Sequence, residues 1–158
     1  MGMASEAGPA ATPSHEGSQL QELDAERCRH LLAGVRFGRV AVVDGGRPAI
    51  VVLNHAVDGD DVLFRVGEDS RLARLTHDGE VPAVFEVDTA YPVEHSGWSV
   101  IATGSLLRES HPARWARART KIMTWAKGER EVVLRLQVDG LTGRRIAPPA
   151  GAVLEGDA

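Results

Sequence analysis

The segment Phe64-Arg65-Val66-Gly67-Glu68-Asp69-Ser70-Arg71-Leu72 holds the residues best suited to bind an anion. An apolar, strand-like run ends at Val66, Gly67 provides a turn, and Ser70-Arg71 opens a helix. A helix start offers unpaired N–H groups and the positive end of its dipole, and a hydroxyl and a guanidinium beside them make a phosphate cradle. Arg65, at the strand end, supplies a second guanidinium. The same residues also read without a ligand. Ser70 is then an N-cap, the arginines are solvated surface groups, and Glu68 and Asp69 oppose an anion by their charge.

Side-chain catalysis has little support. The chain has no Gly-x-Ser-x-Gly, no Gly-x-x-x-x-Gly-Lys-Ser/Thr, no His-Glu-x-x-His and no Gly-x-Gly-x-x-Gly between a strand and a helix, so hydrolase, P-loop and Rossmann chemistry lose their main signals. His55, following Asn54 at the end of an apolar strand, is the candidate for a proton donor or substrate contact, since imidazole titrates near neutral pH. A strand-end histidine with one exposed nitrogen is the alternative. His30, His77, His95 and His111 lack ligand spacing, so no metal site is expected. Cys28 is the only cysteine, which excludes an intrachain disulfide and fits a reducing cytoplasm.

Composition sets the outer limits. With 158 residues, 43% of them hydrophobic, the chain has material for one domain with a sizeable core. A net charge of −4 does not advertise the basic face that phosphate neutralisation on nucleic acid needs. No apolar stretch has the length of a membrane helix, about 18 residues or more. Residues 1–18 and 148–158, rich in small residues and proline, read as disordered tails, which leaves 19–147 as the folded domain.

The elements that must position the candidates follow from periodicity. Cys28, Leu31, Leu32 and Val35 fall at helical spacing after the candidate N-cap Asp24, with Gly34 as a stop. Three apolar runs then follow, Gly38 to Val43, Pro48 to Val57 and Val62 to Val66, separated by Asp44-Gly45-Gly46 and Asp58-Gly59-Asp60. Such turns make an antiparallel meander. The middle run, Ala49-Ile50-Val51-Val52-Leu53, is apolar at every position, so both of its faces are expected to be covered, as in a barrel packed by a partner. A short helix over Asp69 to Leu75, strands over Ala83 to Asp88 and Trp98 to Leu107, a helix from Pro112 to about Trp125, and a last strand over Val132 to Val138 complete the order. The residues from Asp139 to Ile146 read as turn-rich. The class is mainly β with flanking helices, and the short connections between strands disfavour a parallel sheet.

The series Gly38-Arg39-Val40-Ala41-Val42-Val43, Gly46-Arg47-Pro48, Leu53-Asn54, Val62-Leu63-Phe64-Arg65, Asp69-Ser70-Arg71-Leu72, Val84-Phe85-Glu86-Val87-Asp88 and Ser96-Gly97-Trp98-Ser99-Val100 resembles the pyridoxamine 5′-phosphate oxidase-like flavoproteins. Each piece is weak alone, whereas their order and spacing are specific. The resemblance implies a six-stranded antiparallel split β-barrel of the FMN-binding type, assembled as a homodimer with FMN in each of two grooves between subunits. It implies that Val51, Val52, Leu53 and Asn54 run beside the flavin ring, and that Phe64, Arg65, Val66, Ser70 and Arg71 hold the ribityl phosphate. Trp98 and Ser99 stand where related proteins reach the ring region, with Trp98 as a barrel or interface aromatic the alternative. The segments Trp125-Ala126-Lys127-Gly128-Glu129-Arg130 and Gly143-Arg144-Arg145 share the likeness. Arg144 then approaches the partner's flavin or is a solvated turn residue.

One departure bears on substrate. The true oxidases of this type end in an Arg- and Trp-bearing segment that grips the vitamin phosphate, whereas this chain continues from Arg145 into Pro148-Pro149-Ala150-Gly151. Vitamin B6 is therefore not the expected substrate. The resemblance implies an FMN-dependent oxidoreductase acting on a small molecule. Its alternatives are a deazaflavin-dependent reductase and a non-catalytic flavin- or haem-binding dimer, the latter favoured by Glu68 and Asp69.

Overall fold

The computed structural model describes residues 19–123 and 131–147. The two expected tails and Trp125 to Arg130 lie outside the described residues. The element order is β1 (Gln19–Leu23), α1 (Ala25–Gly34), β2 (Phe37–Asp44), β3 (Arg47–Asp58), β4 (Asp61–Val66), α2 (Arg71–Leu75), β5 (Val81–Tyr91), β6 (Ser96–Arg108), α3 (Pro112–Lys121) and β7 (Val132–Ala147).

The meander forms as its turn residues dictate. Asp44 pairs with Arg47 across a loop of Gly45 and Gly46, whose φ values of 58° and 77° match the left-handed pair that a two-residue hairpin requires. The strands run in the order β1-β7-β4-β3-β2-β5-β6, and a further β6–β7 pairing closes the sheet. Six strands thus make a closed antiparallel barrel, with β1 added alongside β7. The barrel is split at one place. β3 pairs with β2 from Arg47 to Asn54 but with β4 only from His55 to Asp58, which leaves two-thirds of one β3 edge without a strand ladder among the described residues.

Inward-facing side chains fill the interior. Val40, Val42, Val62, Phe64, Phe85, Val100, Leu106, Leu134 and Leu136 are buried in one cluster. The rings of Phe64 and Phe85 meet edge to face at 5.0 Å, a favoured aromatic geometry. His55 joins them, its ring 4.8 Å from Phe85. Helix α1 lies against β7, β3 and β6. Asp24 caps it by accepting a 2.7 Å hydrogen bond from the Arg27 amide, and Cys28 and Leu32 are its buried residues. Helix α3 packs on the outside, where Ala118 and Ile122 cover Leu63 and Val133. Its arginines meet an acid of the barrel, Arg117 reaching Asp58 at 2.7 Å and Arg114 at 3.2 Å, while Arg135 of β7 links Asp61 and Glu109 at 3.0 and 3.1 Å.

One element is unexpected and two expectations need correction. Gln19–Leu23 is a strand although its sequence shows no alternation, because it is organised by pairing with Leu23↔Gly143 through Gln19↔Ala147 on β7. The stretch from Asp139 to Ile146 continues β7 and is not a turn. Its glycines serve close approach: at Gly140 a Cβ would collide with the Thr103 hydroxyl, and at Gly143 it would lie 2.5 Å from the Cys28 sulfur. Helix α3 ends at Lys121, where the Ile122 cap has extended backbone.

Gly104 sits at a register shift between β6 and β7, and a Cβ there would overlap the Gln137 carbonyl oxygen. Gly104→Ala is expected to destabilise the fold by about 1–3 kcal/mol through overpacking. Gly34→Ala, with no atom within 4 Å of the added carbon, is expected to be neutral or stabilising by up to about 1 kcal/mol. Urea unfolding of the two variants checks the contrast.

His55 gives a second expectation. Its Nε2–H donates to the Leu32 carbonyl at 2.9 Å, Nδ1 is buried with no hydrogen-bond partner, and burial pushes the imidazole below its ordinary pKa, against the smaller opposing effect of the Leu32 bond. The folded state therefore resists a proton that the unfolded state accepts. The contribution of neutral His55 is full above the unfolded value, about 6.5, and is lost as pH falls below it. Stability measured from pH 7.5 to 5 should fall in the native chain and fall less in His55→Gln.

Candidate functional site

Alternation along β3 divides the residues expected beside a ring. Val51 and Leu53 face inward and pack on the core, and His55 is buried with them. Val52 faces outward and is 62% exposed, next to Ile50 at 66%. Two exposed β-branched side chains thus flank the stretch whose edge has no ladder, where backbone N–H and C=O groups stand available for pairing.

The outward face continues across the barrel. Register places Val52 opposite Arg39, Arg39 opposite Glu86, Glu86 opposite Ile101, and Ile101 opposite Thr142. Arg39 donates to Glu86 at 2.9 Å and to Asp88 at 2.8 Å, so this row presents one guanidinium hydrogen-bonded to two carboxylates, a net charge of −1, between apolar flanks. At its far end, Ser99 pairs in register with Arg144. Both line a groove of about 430 Å³ with Glu22, Ile101 and Thr142.

The helix start at Ser70 works as a cap. Its Oγ accepts from the Ala73 amide at 3.2 Å. Arg71 meets the Asp44 carboxylate at 3.1 Å with its side chain 47% exposed, which places it at the foot of the β2–β3 hairpin, where Asp44 faces Arg47. Glu68 is neutralised by Arg108, with contacts of 2.7 and 3.3 Å, and the Arg108 hydrogen bonds hold its carboxyl below the usual range. Its charge therefore opposes an anion less than the sequence suggests.

Arg65 and Asn54 lie elsewhere. Arg65 donates to the Ile122 carbonyl at 3.3 Å, and the Asn54 amide donates to the Met123 carbonyl, so both tie down the end of α3. The side chains of Phe64 and Val66 are in the core, which leaves only their backbone for any ligand. His55 is neither exposed at a strand end nor on the outer face. Trp98 is separated from Ser99 by the same alternation. Ser99 faces the outer groove, whereas Trp98 packs against the core rim and lines a smaller pocket with Arg145 beside α1.

The structure thus brings Val52, Ser99 and Arg144 onto one outer face and sets Ser70 and Arg71 at its foot. It places Val51, Leu53, His55, Phe64 and Val66 inside and Trp98 at the barrel mouth. Ile50, Arg39, Ile101 and Thr142 were not singled out from the sequence as site residues. The signal for Ile50 was present in the unbroken apolar run of β3. The others are brought together only by strand register.

Among the described residues no helix is long and apolar enough to cross a membrane. The family model of pyridoxamine 5′-phosphate oxidase matches residues 24–145. An uncharacterized protein of Mycobacterium tuberculosis, Rv0080, is 30% identical over 131 residues, covering 81% of this chain and 86% of the relative. The structure of an FAD-binding protein from Mycobacterium smegmatis is similar with a TM-score of 0.66 and 29% identity, covering 79% of this chain and 97% of that one. A putative pyridoxamine 5′-phosphate oxidase from Corynebacterium glutamicum shares the fold at a TM-score of 0.67 and 21% identity, over 82% of this chain and 94% of the other. An FAD- and haem-binding protein from Mycobacterium smegmatis also shares it, at a TM-score of 0.60 and 17% identity, over 87% and 76%. With a family model spanning the barrel from the cap of α1 to the end of β7, the chain belongs to the pyridoxamine 5′-phosphate oxidase family.

Proposed function

We propose that this chain is a homodimeric flavin-binding oxidoreductase, with FMN or the corresponding part of FAD held between the outer faces of two copies. The observation that carries the reading is the pair Ile50 and Val52, exposed within Arg47 to Asn54, the part of β3 that has no ladder on one edge among the described residues. An apolar wall next to unpaired peptide groups suits a flat ring with an apolar face and a hydrogen-bonding edge. The FAD-binding protein at 29% identity supports the same cofactor class.

When bound, a flavin supplies hydride and one-electron chemistry, and the protein's task is to hold and tune it. Ile50 and Val52 exclude water from one side. Peptide groups between Arg47 and Asn54 hydrogen-bond the polar edge. Arg71, already oriented by Asp44 and half exposed, meets the phosphate with Ser70 beside it, as a charge-assisted contact. Ser99 and Arg144 of the outer groove reach the ligand held on the facing copy. No proton transfer is assigned to His55, whose Nε2 is committed to Leu32 and whose ring is buried. The reaction for which the family is named is not transferred to this chain, and its substrate is a small molecule that reaches the ring.

Titration of the apo-protein with FMN and with FAD tests the cofactor. Binding tighter than about 100 μM is expected for at least one, and Arg71→Ala should weaken it by about 1.5–3 kcal/mol. Binding of a deazaflavin or haem in place of both flavins would overturn the reading. Sedimentation tests the assembly: the native chain should run as a dimer, and Val52→Glu, which buries a charge at the facing surface, should run as a folded monomer with weakened flavin binding. A native monomer removes the groove between copies.

A further inference from the structure

The mouth of the barrel beside α1 holds a second pocket, of about 210 Å³, lined by Leu23, Arg27, Leu31, Tyr91, Ser96, Gly97, Trp98 and Arg145. Three elements build it. Arg27 and Leu31 stand one turn apart on α1 and so share a helix face. Trp98 pairs in register with Arg145, and Tyr91 pairs with Ser96. Leu23, Leu31 and Trp98 pack on the core and give the pocket a fixed apolar floor. It lies on the opposite side of the β6–β7 ladder from Ser99 and Arg144, because neighbouring residues on a strand face opposite ways.

Its lining carries two arginines and no acid, with Asp24 and Glu26 beside Arg27 in the adjoining concavity. Most other arginines of the barrel are paired with carboxylates, including Arg29, Arg39, Arg71, Arg108, Arg114, Arg117, Arg119 and Arg135. Arg27 and Arg145 have no ion pair among the described residues. Two guanidiniums at one small concavity repel each other unless an anion joins them, and a guanidinium fork matches a carboxylate through two parallel hydrogen bonds. Trp98 and Tyr91 add aromatic surface, which favours a flat ring. The volume is below the range of about 300–1,000 Å³ for drug-sized ligands and suits one ring.

We infer that this pocket is a binding site for a small planar aromatic carboxylate, its ring against Trp98 and Tyr91 and its carboxylate between Arg27 and Arg145. The site does not depend on the flavin reading, since it lies on the other face of the ladder and uses none of the residues assigned there. Ser96 supplies a hydroxyl at the rim for a ring substituent.

Isothermal titration of the full chain with benzoate at low salt tests the assignment, with benzamide as the uncharged ring of the same shape and inorganic phosphate as the ringless anion. Benzoate should bind, and both controls should bind at least about tenfold more weakly. Arg27→Gln and Arg145→Gln, both at exposed positions, should each weaken benzoate by about tenfold or more without moving the thermal midpoint, and Tyr91→Ala should weaken it by several-fold, on the scale of one aromatic contact. Phosphate binding as tight as benzoate overturns the aromatic class. Failure of benzoate to bind, or affinity unchanged in both arginine variants, overturns the site.

Discussion

The length of β7 is the constraint on which the rest of the molecule depends. Its 16 residues pair with β6 along nearly their whole course, with β4 at one end and with β1 at the other. Without it, β6 and β4 would be open edges and the interior of Phe64, Phe85 and Leu106 would face water. A strand this long cannot follow a closed barrel without bending, and the register shift between Thr103 and Gly104 supplies the bend. The glycines of β7 then let other elements approach, with Gly143 admitting Cys28 of α1. Closure, helix docking and the position of β1 are therefore one packing problem.

Charge is distributed to support that closure from outside. Asp58, Asp61 and Glu109 have side chains that are 13%, 14% and 5% exposed, and each is met by at least one of Arg114, Arg117 and Arg135. Partly buried carboxylates so placed would be costly if left alone. The arginines lower that cost, and Arg114 and Arg117 hold α3 on the barrel wall, where Arg65 and Asn54 secure its end. The Arg117 hydrogen bond is the leading cause of the depressed Asp58 pKa, with Coulombic help from Arg114. This contact is thus formed at neutral pH and lost only when the carboxylate is protonated in acid.

Much of the barrel was legible because its strands obey local rules. The glycine turns, the apolar runs and the spacing of Cys28, Leu31 and Leu32 specify the meander and α1 without help from distant residues. What was not legible is what distant contacts decide. β1 has two leucines and no alternation, so only β7 makes it a strand. The glycines of β7 suggest a turn to any local reading, because the atoms that require them, in Thr103 and Cys28, are far away in sequence. The candidate site divided in the same way. The types of Ser70 and Arg71 announced a helix start, whereas which side chains of Val51 to Asn54 face outward is decided by the pleat, which turns Val51, Leu53 and His55 inward. Trp98 and Ser99 were parted for the same reason.

In the proposed dimer the outer face has to be compatible with two conditions, stability when a chain is alone and burial when two meet. An open strand edge invites indiscriminate pairing, and Pro48 blunts one end of it by lacking an N–H donor. Arg47, beside it, adds a charge that disfavours stacking of many copies. Beside that edge the Arg39 guanidinium is held by both Glu86 and Asp88. Covering the face would therefore bury Ile50 and Val52 without leaving that guanidinium dry and alone. A surface meant only for water would not need the exposed branched pair. Their coincidence on the one stretch of β3 without a second neighbour is the physical reason for placing the ligand and the partner on the same side of the barrel.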